Sequence, residues 1–380
     1  MHIGVDLTCL MPPRSGVDVA ASELVRGLAR IDSRNRYTLF LNCEDFSEFR
    51  ACVPSSFRLR GISLRNRLVR AFAQQVVLPV DCSLRSIDVL HSPAFIGPLF
   101  RRRNVRHLVT IHDMTFFTLG KAHSAFHRSR PFLAAVKRSA LRADLINVPS
   151  TATRDAMIEL WPDIPSSRVR ITPWGLGAEF FRPASPQEVT EHRARLRLPE
   201  RFILFTGTIE PRKNVDILIE SYRRLIAGAA SDAHLVLAGK LGWGYGPVTE
   251  LLKSPDLQGR VHCLGYVPPE DLPWIYRAAS LFVYPSAYEG FGLPPLEAMA
   301  CGVPVISSRG SALETNLLGA AELTDPGDPA ALLAAMRKVL SEPPPSRLQR
   351  IQIGLDRARQ FTWTRTAETM LECYRELKPS

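Results

Sequence analysis

Short apolar runs alternate with amphipathic stretches along the whole chain. A first series comprises residues 2–6, 37–41, 107–113, 144–150 and 169–175. A second comprises residues 202–207, 234–239, 261–265, 281–286 and 304–308. Several of these runs are continuously apolar rather than alternating, as expected of strands buried on both faces of a parallel sheet. Between them, residues 20–29, 214–225 and 293–300 carry apolar residues at helical spacing. This cadence predicts an α/β chain with open parallel sheets. The break between the two series falls at 181–187, where Pro183 and Pro186 stop helices. The expected domains are therefore 1–183 and 184–360. Glu342–Ser346 reads as another break, and the tail from Phe361 as an amphipathic helix offering Trp363, Met370 and Tyr374 for packing.

Composition narrows the class. The 380 residues suit two domains, and 46% hydrophobic with 22% charged residues is ordinary for a globular chain. No apolar run approaches the roughly 18 residues that would span a bilayer. The N-terminus has neither a basic region nor a long apolar one, so a secretory signal is not expected. The seven cysteines include no CxxC pair, which predicts buried free thiols in a reducing cytosol rather than a disulfide framework or a thiolate metal site.

Charge adds an asymmetry. Residues 1–180 hold 25 Lys+Arg and 15 Asp+Glu, a net +10, while residues 181–380 hold 23 and 22, a net +1. A basic half predicts an anionic partner: nucleic acid, a membrane surface or a phosphorylated substrate. The basic stretches, with Arg58, Arg60, Arg65, Arg67, Arg70 and Arg101–Arg103, carry no interleaved aromatics. No nucleic-acid module is present either, so nucleic acid is not the expected partner.

Four stretches carry chemistry. In residues 284–308, Glu289 and Glu297 flank a Gly-Phe-Gly turn that opens an apolar helix. Backbone N–H groups near Phe291, Gly292 and Leu293 would then sit at a helix N-terminus, a ready anion site. Carboxylates on either side fit a ligand that is both phosphorylated and polyhydroxylated. Residues 207–222 follow the first strand of the second series, so Arg212 and Lys213 lie where open α/β sheets bind ligands and can engage a diphosphate. Residues 109–117 end a strand in His112-Asp113. That histidine could be an acid/base group, a hydrogen-bond partner or a packed core residue, and it has no metal-ligand spacing. In the loop at 9–20, Gly16 would let backbone approach a phosphate or sugar, without the GxGxxG of a dinucleotide site.

Taken together, these stretches resemble the retaining GT-B glycosyltransferases of family four, most closely from Phe202 to Ser308. The resemblance implies two Rossmann-like domains facing across a cleft, the first binding acceptor and the second a nucleotide-sugar. The last helix often crosses back to the first domain. Glu289 resembles the glutamate that contacts sugar hydroxyls near the reacting centre, and Glu297 the one that holds the ribose. Phe291, Gly292 and Leu293 resemble the backbone donors around the transferred sugar and phosphate. Lys213 resembles the diphosphate lysine, His112 the histidine bonded to the donor sugar, and Gly16 the glycine near the diphosphate. Lys240 and Val267 lie in loops like those that border the base. Thr208 stands where many members have arginine, a charge that Arg212 can supply, and Glu314 lies in a segment that departs from the family pattern. The wording of the motifs is most similar to bacterial mannosyltransferases that use GDP-mannose in O-antigen or other polysaccharide synthesis, with UDP-sugar use the alternative. No cofactor or metal is implied. The implied partners are the nucleotide-sugar donor and a glycan or polyprenyl-diphosphate-linked acceptor. The expected location is cytoplasmic, peripheral on an anionic inner membrane face.

Overall fold

The computed structural model describes residues 1–10, 15–61, 72–100, 104–119, 129–228 and 231–378. The chain forms two units: Met1–Gly175 with Thr362–Ser380, and Leu176–Phe361. The first unit holds a seven-stranded sheet: β1 (His2–Asp6), β2 (Arg36–Leu41), β3 (Phe57–Gly61), β4 (Val89–Ser92), β5 (Arg106–Thr110), β6 (Leu145–Val148) and β7 (Val169–Ile171). The second holds six strands: β8 (Phe202–Thr206), β9 (His234–Ala238), β10 (Val261–Gly265), β11 (Leu281–Tyr284), β12 (Val305–Ser308) and β13 (Glu322–Thr324). All the strand pairs are parallel. The orders are β3-β2-β1-β4-β5-β6-β7 and β10-β9-β8-β11-β12-β13. Each sheet therefore reverses direction beside its first strand, β1 against β4 and β8 against β11. Loops leaving the carboxyl ends diverge at such a point and open a crevice for ligand.

The predicted strands fall where the continuous apolar runs placed them, because β1, β8 and β11 are covered on both faces and buried throughout. The pattern did not reveal β3, β4 or β13. In β3 (Phe-Arg-Leu-Arg-Gly) two exposed arginines alternate with inward residues, as an edge strand allows. β4 and β13 are too short to show a period.

Two boundary expectations are corrected. The units divide at Gly175–Leu176, before the expected Pro183. Residues 176–183 belong to the second unit, where Arg277 Nη2 donates to the carbonyls of Glu179, Phe180 and Arg182. The prolines at 344–345 open a helix, Pro344–Ala358, rather than breaking one, since the first helical turn needs no N–H from them. Buried thiols are found at Cys82 and Cys373, whereas Cys43, Cys52 and Cys263 are exposed.

In the first unit, the helix Trp363–Glu376 packs against Gly16–Ile31. A Cβ at Gly27 would lie 2.9 Å from the Trp363 carbonyl oxygen, so only glycine permits this approach. Met370 and Tyr374 join Ile3, Val5, Tyr37 and Leu39 in one apolar cluster. Among the described residues, no helix is long and apolar enough to cross a membrane.

Candidate functional site

A dense polar cluster lies at the carboxyl ends of β8 and β11. After β8 the chain makes a single turn at Pro211–Lys213, and Asn214 takes a left-handed conformation with φ 50°. Its side-chain amide donates to the Pro285 carbonyl (2.9 Å), and Ala287 N–H donates to the Arg212 carbonyl (2.7 Å). These bonds tie the loop after β8 to the loop after β11, and so hold Lys213 and Arg212 against Glu289.

Glu289 Oε1 accepts from four side chains: Lys213 Nζ, Arg212 Nη1 (2.9 Å), Ser286 Oγ (2.6 Å) and Tyr284 OH (3.1 Å). Lys213 Nζ also donates to Tyr284 OH, and Arg212 Nε pairs with Glu210 Oε1 (2.6 Å). Burial by itself would raise the Glu289 pKa. Arg212 and Lys213 outweigh it and hold the carboxylate at about 2. Burial, reinforced by the neighbouring Arg212 charge, lowers the Lys213 pKa, and Glu289 opposes both. Glu289 is thus ionised, and all four of these bonds fall on one of its oxygens. Oε2 takes no hydrogen bond among the described residues.

The helix Leu293–Ala300 follows directly. Gly292 at its N-cap has φ 90°, a conformation that favours glycine, and a Cβ there would come 2.5 Å from Leu313 Cδ2. Pro294 and Pro295 carry no N–H, so the donors of this end come down to Phe291, Gly292 and Leu293. Asn316 Nδ2 fixes the turn by donating to the Phe291 carbonyl (2.8 Å). Further along the helix, Glu297 Oε2 accepts from Tyr276 OH (2.9 Å), which is 2.7 Å from Thr206 Oγ1. Burial raises the Glu297 pKa to about 7 against the Tyr276 hydrogen bond, with Glu179 adding to the rise.

Other residues singled out from sequence lie on loops at the same sheet edge. Thr208 follows β8, Lys240 follows β9 and Val267 follows β10. Ile209 N–H donates to the Lys240 carbonyl (3.0 Å), and a Cβ at Gly239 would sit 1.9 Å from the Gly207 carbonyl oxygen. Glu314 is spent on capping its own helix by accepting from Gly310 N–H (2.9 Å).

His112 and Gly16 belong to the first unit. His112 is only 3% exposed, and its ring lies against Phe95 and Trp174. Nε2 is 2.5 Å from the Pro93 carbonyl oxygen, which can only accept, so Nε2 bears the proton. Nδ1 has no hydrogen-bond partner among the described residues. Burial lowers the His112 pKa to about 4, against the Pro93 hydrogen bond and Asp113, so the ring is neutral near pH 7. Gly16 begins its helix with nothing within 4 Å of an added Cβ, beside Ser15, whose N–H donates to Asp18 Oδ2 (2.7 Å). Residues 11–14 of that loop lie outside the described residues, as do Arg65, Arg67, Arg70 and Arg101–Arg103.

Sequence reasoning missed Tyr284, Ser286 and Tyr276. Tyr284 and Ser286 flank Pro285 at the end of β11, a position that could have flagged them. Tyr276 gives no local signal.

Residues 188–356 match the family described as Glycosyl transferases group 1, and residues 14–180 match Glycosyltransferase Family 4. Over 290 residues the chain is 34% identical to O-antigen chain mannosyltransferase B of Escherichia coli, covering 76% of this chain and 74% of that one. Its fold is similar to that of sucrose-phosphate synthase from Thermosynechococcus elongatus, with TM-score 0.79, 22% identity and 99% of each chain covered. It is likewise similar to Anabaena HepE in complex with UDP and glucose, with TM-score 0.75, 17% identity, and 99% of this chain and 100% of that one covered.

Proposed function

The chain belongs to the family 4, group 1 glycosyltransferases, which are retaining, nucleotide-sugar-dependent enzymes of GT-B fold, and on that premise we propose that it transfers mannose from GDP-mannose to a glycan or lipid-linked saccharide. The observation that carries this reading is the Lys213–Arg212–Glu289 cluster at the carboxyl ends of β8 and β11. Transfer requires charge to be neutralised on a departing nucleotide diphosphate. Lys213 has three N–H donors; Tyr284 and Glu289 take two, which leaves one for a phosphate oxygen. Arg212 supplies a second positive charge where Thr208 brings none. The N–H groups of Phe291, Gly292 and Leu293 add a fixed dipole.

Glu289 Oε2 accepts from a hydroxyl of the transferred sugar, and its ionised form suits that role. His112 Nδ1 is the ring atom left to accept from another sugar hydroxyl. Neutral and deeply buried, His112 holds the donor rather than moving a proton. Glu297 takes the ribose hydroxyls. The leaving diphosphate itself removes the proton from the acceptor hydroxyl, giving front-face transfer with retention.

Mannose is supported by the relationship to the E. coli mannosyltransferase, and GDP as its carrier by the wording of the motifs. A UDP-hexose donor is the second reading, supported by the UDP and glucose bound in the structurally similar HepE. A panel of GDP- and UDP-sugars, read by donor hydrolysis and thermal shift, separates the two. GDP-mannose should give the largest shift and the fastest hydrolysis. Lys213→Ala should slow turnover by about 100-fold or more with folding retained. A UDP-sugar preference replaces the mannose reading, and indifference to every nucleotide-sugar removes both.

A further inference from the structure

Three residues around one small cavity of the first unit each hold a buried polar atom with no hydrogen-bond partner among the described residues. The atoms are His112 Nδ1, Asn147 Oδ1 and Thr172 Oγ1, and the residues are 3%, 3% and 0% exposed. The sheet brings them together. Thr110 at the end of β5 stands in register with Asn147 on β6, and His112 lies two residues beyond Thr110. Thr172 follows β7, and its N–H donates to the Val148 carbonyl (2.8 Å). The cavity measures about 20 Å³, room for one water. Ala21 and Leu24 of the helix Gly16–Ile31, with Trp363 and Met370 of the helix Trp363–Glu376, give it apolar walls. No acidic side chain is among its described lining residues.

The bonds already made fix what each atom can still do. Nε2 of the neutral His112 ring carries the proton and gives it to the Pro93 carbonyl, so Nδ1 can only accept. Asn147 Nδ2 donates to Thr110 Oγ1 (3.3 Å), which leaves Oδ1 to accept. Thr172 Oγ1 can donate its proton, and the Cys373 thiol beside it is a weak acceptor. Two acceptors and one hydroxyl donor therefore surround the cavity. A water fits this set: it donates to both acceptors and accepts from the hydroxyl, the three bonds usual for a buried water. A cation is the poorer occupant, because no carboxylate is there to balance it. A sugar hydroxyl brings one hydrogen where two are wanted. An unfilled cavity would leave three buried polar atoms unpaired, and each would cost stability.

We propose that one water is bound between His112 Nδ1, Asn147 Oδ1 and Thr172 Oγ1, and that Asn147 and Thr172 position the His112 ring through it. The water completes a buried polar chain. Tyr374 OH lies 2.8 Å from His91 Nδ1, His91 Nε2 lies 2.8 Å from Thr110 Oγ1, and Thr110 meets Asn147. The water carries this chain on to His112, so the ring is held from the last helix as well as from Pro93. The inference goes beyond the donor reading and touches it at one point: a sugar hydroxyl that binds Nδ1 displaces this water.

The test uses the full chain without donor. A crystal structure at a resolution that shows ordered water should place one within hydrogen-bond reach of all three atoms. In solution, long-range ¹H–¹⁵N spectra report whether Nδ1 of His112 is hydrogen-bonded. The parent should show a bonded imine nitrogen. Asn147→Leu should shift that resonance to the unbonded position. Thr172→Val, which keeps the shape and removes the hydroxyl, should shift it in the same direction, and Thr172→Ser should restore it. Circular dichroism and the urea midpoint check folding, and a loss of packing alone would not move the Nδ1 resonance selectively. Absence of a water at this place overturns the proposal. So does an unbonded Nδ1 in the parent, or a resonance that is the same in the parent, Thr172→Val and Asn147→Leu. The water and the donor chemistry fail separately, because no nucleotide-sugar enters this test and the donor panel does not read the water.

Discussion

At the residue scale, Glu289 and Lys213 set each other's protonation. Burial and Arg212 press Lys213 towards its neutral form, and Glu289 opposes them. On the proposed donor site, Glu289→Gln removes a sugar contact, and it also lowers the lysine pKa further. If protonated Lys213 is required, activity falls as pH rises through its pKa. The alkaline limb of the pH–rate profile should then move to lower pH in Glu289→Gln, and Lys213→Arg should remove that limb. Glu297 works in the opposite sense. Burial holds its pKa near 7, so the carboxyl is largely neutral below that pH and ionised above it. In the proposed role of holding the ribose, the ionised form is the stronger acceptor for its hydroxyls. Donor KM should fall as pH rises through about 7, and Glu297→Gln should flatten the dependence. The same shift acts on stability: a carboxyl whose folded pKa lies above its ordinary 4.5 favours the fold at low pH and loses that contribution as pH rises towards 7. Glu297→Gln should flatten that slope in urea titrations run across the window.

At the element scale, glycines separate loop packing from ligand approach. A Cβ at Gly239 would collide with backbone, the Gly207 carbonyl oxygen at 1.9 Å, whereas one at Gly16 would meet nothing within 4 Å. Gly239→Ala should destabilise the second unit by about 3 kcal/mol or more. Gly16→Ala, at the start of a helix, should leave stability unchanged or raise it by up to about 1 kcal/mol. If backbone at Gly16 approaches the diphosphate, that variant will instead raise donor KM with no loss in urea midpoint. The helix Leu293–Ala300 was legible to the residue, because an apolar run bounded by glycine and followed by Cys-Gly has clear ends. The helix Pro344–Ala358 was not, because prolines within a first turn look in sequence like a stop.

At the scale of the whole molecule, charge follows the structural division more sharply than the division by length. Met1–Gly175 with Thr362–Ser380 carries 28 basic and 17 acidic residues, a net +11, and Leu176–Phe361 carries 20 of each. The unit with the Lys213–Glu289 cluster is neutral overall and relies on a few placed charges. The other carries the whole excess. The chain end is also committed to that first unit. Tyr374 OH lies 2.8 Å from His91 Nδ1, both fully buried, and His91 Nε2 lies 2.8 Å from Thr110 Oγ1 on β5. Tyr374→Phe leaves a buried ring nitrogen without its partner and should cost about 1–2 kcal/mol in urea denaturation of the first unit. The Lys213–Glu289 cluster lies in the other unit, so its pH–rate limb should be unchanged.

The sequence by itself determined the class of fold and the main candidates for the site. Strands buried on both faces write themselves as continuous apolar runs, and the Glu289–Glu297 stretch is local, so its spacing survives in the linear chain. Lys213 could be named for the same reason, as a charge on the loop after a recognisable strand. Tertiary structure alone decided the rest. It showed that four side chains share one oxygen of Glu289, that burial pushes Glu297 towards neutrality while cations hold Glu289 ionised, and that Tyr276 reaches Glu297 from another helix. The physical reason is common to all of these: solvation and pairing depend on what the fold brings together from distant parts of the chain.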